Sequence, residues 1–201
     1  MTTDAPHRRG RRLPRSFYRR DALAVAPDLL HKVLVHGDRA GRIVEVEAYR
    51  GSLDPASHAH RGPTARNRSM FGPPGLLYVY FTYGMHWCAN VVCHEPGDAS
   101  AVLVRALEPL RGIEHMRAAR PAARRDVDVA NGPAKLCEAL GIDGTLDGTD
   151  LTARDSPVTI LDDGLAPPPR PVVGPRVGIR VATDRPWRFS VPDHPHRSRP
   201  W

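Results

Sequence analysis

Proline and glycine interrupt this chain so often that they argue against a helical bundle: 21 prolines and 17 glycines fall within 201 residues. Between these breakers lie short segments of apolar and alternating character. Residues 42–49, 76–82, 85–93 and 101–107 read as strands, with a hairpin turn expected at Tyr83-Gly84. Residues 110–119 read as a helix stopped by Pro121, and Asn131-Gly132-Pro133 opens a helix that ends before Gly141. Asp21 can cap a short helix that Pro27 interrupts. Short strands are expected at 157–161 and 176–182, and Leu161 to Pro175 reads as a surface loop. The fold class is therefore α+β with a largely antiparallel sheet. Length suggests one domain, or one domain with arms. No apolar run approaches the ~18 residues of a membrane-spanning helix, and no segment recurs as a repeat.

Charge narrows the partner. The formal net charge is +7, and of 29 basic residues only Lys32 and Lys135 are lysines. Arginine binds phosphate bidentately, so a polyanion is the first expectation. A GC-rich genome would account for most of the arginine preference, but not for the net positive charge. Cys88, Cys93 and Cys137 are too few, and odd in number, for a disulfide scaffold, which suits a reducing compartment. The twin Arg19–Arg20 is followed by a stretch too short and too acidic for an export signal.

Two strands carry the candidate chemistry. In 42–49, alternation turns Val44, Val46 and Ala48 one way and Glu45, Glu47 and Tyr49 the other. The two carboxylates then stand ~7 Å apart, either on a solvated strand face or in a cleft. Arg105 interrupts the otherwise apolar 101–107 strand. A buried guanidinium requires a carboxylate or several carbonyls, and a glutamate of the 42–49 strand is the obvious partner. The pair is open to two readings: a purely structural ion pair, or a site that holds a water.

The densest aromatic run is Tyr78 to Trp87, and within it Tyr83 and Met85 fall where the hairpin turns. Exposing such residues without a reason is costly. A stiff apolar wedge on a basic protein is how base-flipping proteins open a stack. The loop 57–68 is polar and basic. A metal site could draw on His58 with His60, or on His86, Cys88, Cys93 and His94. However, Cys88 and Cys93 point to opposite faces of a regular strand, and no zinc motif is present. Lys135, in the first turn of its helix, is either an ordinary surface lysine or part of a phosphate site.

Several stretches together resemble the alkyladenine (3-methyladenine) DNA glycosylases of mammalian type. These are Arg42-Ile-Val-Glu-Val-Glu-Ala-Tyr49, Ala56-Ser-His58, Arg66-Asn-Arg68, Met70-Phe-Gly-Pro-Pro-Gly75 and Tyr78-Val-Tyr-Phe-Thr-Tyr-Gly-Met85. Asn90, Arg105-Ala-Leu-Glu-Pro109, Gly132-Pro-Ala-Lys-Leu-Cys137 and Pro186-Trp-Arg-Phe189 continue the match in order. The resemblance implies a compact domain around a curved antiparallel sheet with surrounding helices and a protruding hairpin. It spans 14–191, between a basic disordered arm (1–13) and a frayed tail (192–201). It implies a monofunctional enzyme that flips alkylated or deaminated purines out of duplex DNA and hydrolyses the N-glycosidic bond, starting base excision repair, without metal, cofactor or Schiff-base lysine. Carried over by position, Glu47 is the general base and Arg105 helps hold the attacking water. Tyr49, His58, Tyr80 and Asn90 form the base pocket, and Tyr83 with Met85 intercalates. Thr64, Arg66 and Lys135 contact the DNA backbone. The implied partner is double-stranded DNA bearing damaged purines; the protein is expected as a cytoplasmic, nucleoid-associated monomer away from membranes. His60 and His86 depart from the family pattern, which leaves the preferred lesion open. A damage-binding protein without catalysis and a metal-dependent nuclease are the competing expectations.

Overall fold

The computed structural model describes residues 10–198. Its elements run β1 (Arg11–Arg12), α1 (Arg15–Tyr18), α2 (Ala22–Leu29), β2 (Val33–His36), β3 (Arg39–Arg50), β4 (Leu77–Thr82), β5 (His86–Cys93), β6 (Ser100–Arg111), α3 (Ile113–Ala119), α4 (Pro133–Leu140), β7 (Val158–Asp162), β8 (Val172–Gly174) and β9 (Arg188–Ser190). The strands form one antiparallel sheet in the order β1-β7-β2-β3-β6-β5-β4. β9 joins β3 beyond the reach of β2 and carries β8 on its outer side. β3 is thus flanked along its length: β6 on one edge, β2 and then β9 on the other.

One face of this sheet is the main core. Val46 pairs with Val104, and Val91 with Val102, across neighbouring strands. These β-branched side chains pack with Val25, Leu29, Leu136 and Leu140 of α2 and α4. A smaller cluster of Ala59, Met70, Tyr78, Val92, Ala99 and Ala101 lies with the loop that follows β3.

Local signals explain several elements. The Asp21 carboxylate accepts from the Leu23 N–H at the start of α2. Pro27 does not end that helix, which continues to Leu29. Pro133 sits in the first turn of α4, and Gly141 closes the helix in the left-handed region at φ +70°. The expected helix over 110–119 begins only at Ile113, because β6 pairs as far as Arg111.

Three expectations are corrected. The arm does not extend to residue 13: Arg11–Arg12 pairs with β7 and Leu13 is buried, while residues 1–9 lie outside the described residues. The tail does not fray at 192: Val191 and Ser198 are both buried, and only 199–201 fall outside the described residues. Residues 176–182 are not a strand. Gly178 (φ +78°) and Ala182 (φ +50°) break the extended backbone, and the apolar alternation of Val177, Ile179 and Val181 belongs to a loop.

Candidate active site

Sheet register assembles the site. Glu47 on β3 stands opposite Leu103 on β6, Leu103 opposite Asn90 on β5, and Asn90 opposite Tyr78 on β4. Directly opposed residues share a face, so these four form one rung across four strands. Tyr80 faces Cys88 one rung along. Pairing slips on both sides of Glu45: Val44 is skipped on β3, and Arg105 is skipped on β6. Such bulges re-aim side chains, and here the unpaired position belongs to the buried arginine.

Arg105 meets both carboxylates. Its Nε donates to Glu45 Oε1 at 2.9 Å, and its Nη1 lies 3.1 Å from Glu47 Oε1. Glu45 and Glu47 have no exposed surface. Glu47 Oε1 also accepts the Val177 N–H at 2.7 Å, and its Oε2 accepts the Tyr49 hydroxyl at 2.9 Å. Glu45 accepts from the Ser198 N–H at 2.6 Å and from the Ser198 hydroxyl at 2.7 Å. Arg188 lies 3.7 Å from the same carboxylate. Two carboxylates and two guanidiniums therefore share a buried floor with their charges paired, the condition under which buried charge is tolerable.

The environments push the groups in definite directions. Burial raises the Glu47 carboxyl, while Arg105, the Val177 N–H and the Tyr49 hydroxyl pull it back and Glu45 adds to the rise. Burial and the adjacent Glu47 raise the Tyr49 phenol, which keeps it a proton donor to that carboxylate. Burial opposes the charge on Arg105, but Glu47 and Glu45 outweigh it.

Above this floor opens a cavity of about 620 Å³. Tyr49, His58, Tyr80, Asn90 and Arg105 line it, Tyr83 stands at its edge, and the 177–181 loop forms another wall. Glu47 lies below, in contact with the lining Tyr49 and Arg105. His58 meets Tyr80 edge-on with ring centroids 4.5 Å apart, and its Nδ1 is 3.1 Å from the Tyr78 hydroxyl. Desolvation at this wall, with Arg66 nearby, lowers the His58 pKa and favours a neutral ring. Asn90 donates to the Tyr78 carbonyl at 3.2 Å.

The β4–β5 hairpin turns where expected, through Tyr83, Gly84 and Met85 between the paired Thr82 and His86. Tyr83 adopts the left-handed region at φ +51°, unusual for a bulky residue. It is 80% exposed, and Met85 is 69% exposed. Arg66 lies over the Tyr80 ring at 5.5 Å and donates to the Phe81 carbonyl, tying the basic loop to this hairpin. The buried Asn67 organises that loop, accepting from the Thr64 N–H and hydroxyl and donating to the His58 and Gly62 carbonyls.

The structure thus gathers Glu47, Tyr49, His58, Tyr80, Tyr83, Asn90 and Arg105 around one cavity. Thr64, Arg66 and Met85 lie outside its lining. Lys135 lines a neighbouring cavity of about 320 Å³ that shares Arg105 and Pro133 with the first, and its Nζ donates to Asn131. Sequence reasoning missed Val177 and Ser198, whose contacts with Glu47 and Glu45 span 130 and 153 residues. It also missed Arg176, whose guanidinium pairs with the buried Asp54 and lies 4.6 Å from the Tyr49 ring centroid. Among the described residues, no three His, Cys, Asp or Glu side chains converge as a metal site.

Comparison with known proteins gives a consistent answer. A model of the methylpurine-DNA glycosylase family matches residues 16–195. A protein of Burkholderia lata, named "Putative 3-methyladenine DNA glycosylase", is 58% identical over 98% of this chain and 95% of its own length. Proteins with the same name from Streptomyces avermitilis (50% identical, 91% of this chain and 89% of theirs) and Rhodopseudomonas palustris (47%, 94% and 89%) are also similar.

Proposed function

The chain belongs to the methylpurine-DNA glycosylase family and is a DNA glycosylase that hydrolyses N-glycosyl bonds, and from that premise we propose that it flips alkylated or deaminated purines from duplex DNA into the 620 Å³ cavity. The observation that carries this reading is the single cluster in which Glu47, beneath Tyr49 and Arg105, forms the floor of an aromatic pocket.

A 3- or 7-alkylpurine is already cationic and leaves without an added proton. The electron-rich faces of Tyr49 and Tyr80 attract it, and a neutral His58 adds no repulsion. Glu47 Oε1 is occupied by Arg105 and Val177, whereas Oε2 holds only the Tyr49 hydroxyl among these partners. That leaves Oε2 as the acceptor for a water proton. The buried carboxylate stabilises positive charge developing on the sugar, and water activated by Glu47 captures it. Arg105 steadies the carboxylate and the water. Asn90, two strands across the rung from Glu47, is placed to sense the edge of the base.

Tyr83 and Met85 fill the gap left in the duplex, and Thr64, Arg66 and Lys135 hold its phosphates. The test is a panel of duplexes carrying 3-methyladenine, 7-methylguanine, hypoxanthine or ethenoadenine, with the released bases identified. The glycosylase leaves abasic sites that break only after alkali or heat. Backbone cuts that depend on divalent metal and appear without that treatment would support a nuclease instead.

A further inference from the structure

Arg105 serves two carboxylates, and its division between them is set from outside the cavity. Its planar fork is rigid, so the direction of the Nε bond to Glu45 determines where Nη1 meets Glu47. Glu45 is oriented in turn by Ser198, at the end of segment 192–198. The backbone N–H of Ser198 is on Oε2 and its hydroxyl is on Oε1. The same hydroxyl oxygen accepts from Arg105 Nη2 at 3.3 Å. One small, buried side chain thus joins Glu45 to Arg105.

We propose that Ser198 is a positioning residue for the glycosylase reaction: by fixing Glu45, it holds the Arg105 guanidinium in the orientation that presents Nη1 to Glu47. This rests on Glu47 being the general base. Ser198→Ala removes both hydroxyl links but keeps the backbone N–H. His194, 3.6 Å from Glu108, remains to hold the segment down. With one donor fewer, Glu45 draws Arg105 closer and away from Glu47.

The groups facing Glu47 are Glu45 and Tyr49 from β3, Arg105 from β6, Arg188 from β9, Tyr80 from β4 and Cys88 from β5. Of these, Arg105 places its Nη1 3.1 Å from Glu47 Oε1. Weakening that contact leaves burial less opposed, so Glu47 gives up its proton only at higher pH.

The experiment is single-turnover release of 7-methylguanine from duplex DNA, with full-length enzyme in excess, across an acid-to-neutral pH series. Under these conditions the rate constant does not depend on the folded fraction. Ser198→Ala is expected to slow excision roughly 10- to 100-fold, with lesion-duplex affinity unchanged and the acid limb moved to higher pH. Ser198→Thr keeps both donors and is expected to restore rate and limb. A Ser198→Ala profile matching wild type, beside an inactive Glu47→Gln, overturns the inference and leaves the base assignment standing. A uniform loss of rate with the limb in place also overturns it, since it assigns Ser198 a structural role. An active Glu47→Gln removes the reading on which the inference rests.

Discussion

The floor of the cavity and the tip of the hairpin are built on opposite principles. On the floor, Glu47 has no exposed surface and both of its oxygens are engaged. At the tip, Tyr83 is 80% exposed and held in a left-handed backbone. Each arrangement costs stability, one through desolvated charge and the other through strain and exposed apolar surface. On the proposed reading, the difference separates two tasks. A group that reacts gains from being fixed before the substrate arrives. A group that enters a base stack must be stiff, apolar and unattached.

The sharpest way to break this contrast is at the floor. Glu47→Gln keeps the size of the side chain but cannot take a proton. Single-turnover excision is expected to fall by at least ~10²-fold, with lesion binding retained. At the tip, Tyr83→Ala is expected to weaken lesion binding and excision together, by roughly 5- to 150-fold from the ~1–3 kcal/mol of lost stacking. Its thermal melt should match wild type, because the side chain packs on nothing that folding requires. Equal activity on duplex DNA would remove the wedge from the account.

Glu45→Gln tests whether the two floor carboxylates differ. Its main effect is expected on stability, on the order of 3 kcal/mol by denaturant unfolding, because it takes a charge from the buried pair. The rate should fall less than for Glu47→Gln; if Glu45→Gln is the dead variant, the base is misassigned. The pH profile sharpens the same point. Burial raises the Glu47 carboxyl, and with Glu47 as the proposed base its ionised form is the active one, so excision is expected to be full at higher pH and lost as pH falls through a limb above the usual ~4.3. Glu47→Gln abolishes that limb.

The smallest effect lies outside both regions. Removing residues 1–9 is expected to lower nonspecific, salt-sensitive DNA affinity slightly and to leave excision intact. Removing residues 1–13 instead should depress the melting temperature, because it takes away the buried Leu13 and the Arg12 bonds to the Leu151 and Arg154 carbonyls.

Sequence legibility followed the range of the forces involved. The face carrying Glu47 and Tyr49 was readable because alternation is local, and Arg105 because a lone charge in an apolar strand demands a partner. That it serves both glutamates was not readable, since the answer depends on the register slips around Glu45. The Tyr83-Gly84 turn and α4 carried their own signals. The 176–182 segment misled through its alternating Val177, Ile179 and Val181, with Gly178 as the only local warning. The tail reads as polar and breaker-rich, and no neighbouring residue announces that Ser198 reaches Glu45.

The double flanking of β3 bears on how this enzyme fails. Amide hydrogens in a strand paired on both edges exchange with solvent only when large parts of the molecule open, whereas a hairpin tip exchanges through small local excursions. Deuterium uptake should therefore be slowest along 43–48 and fastest around 83–85. If Glu47, in the slowest-exchanging segment, is the base as proposed, partial unfolding cannot erase the chemistry while sparing the rest. Heat or denaturant should abolish base excision and the cooperative fold at one midpoint, while the hairpin, and with it the proposed grip on DNA, can soften well before that point.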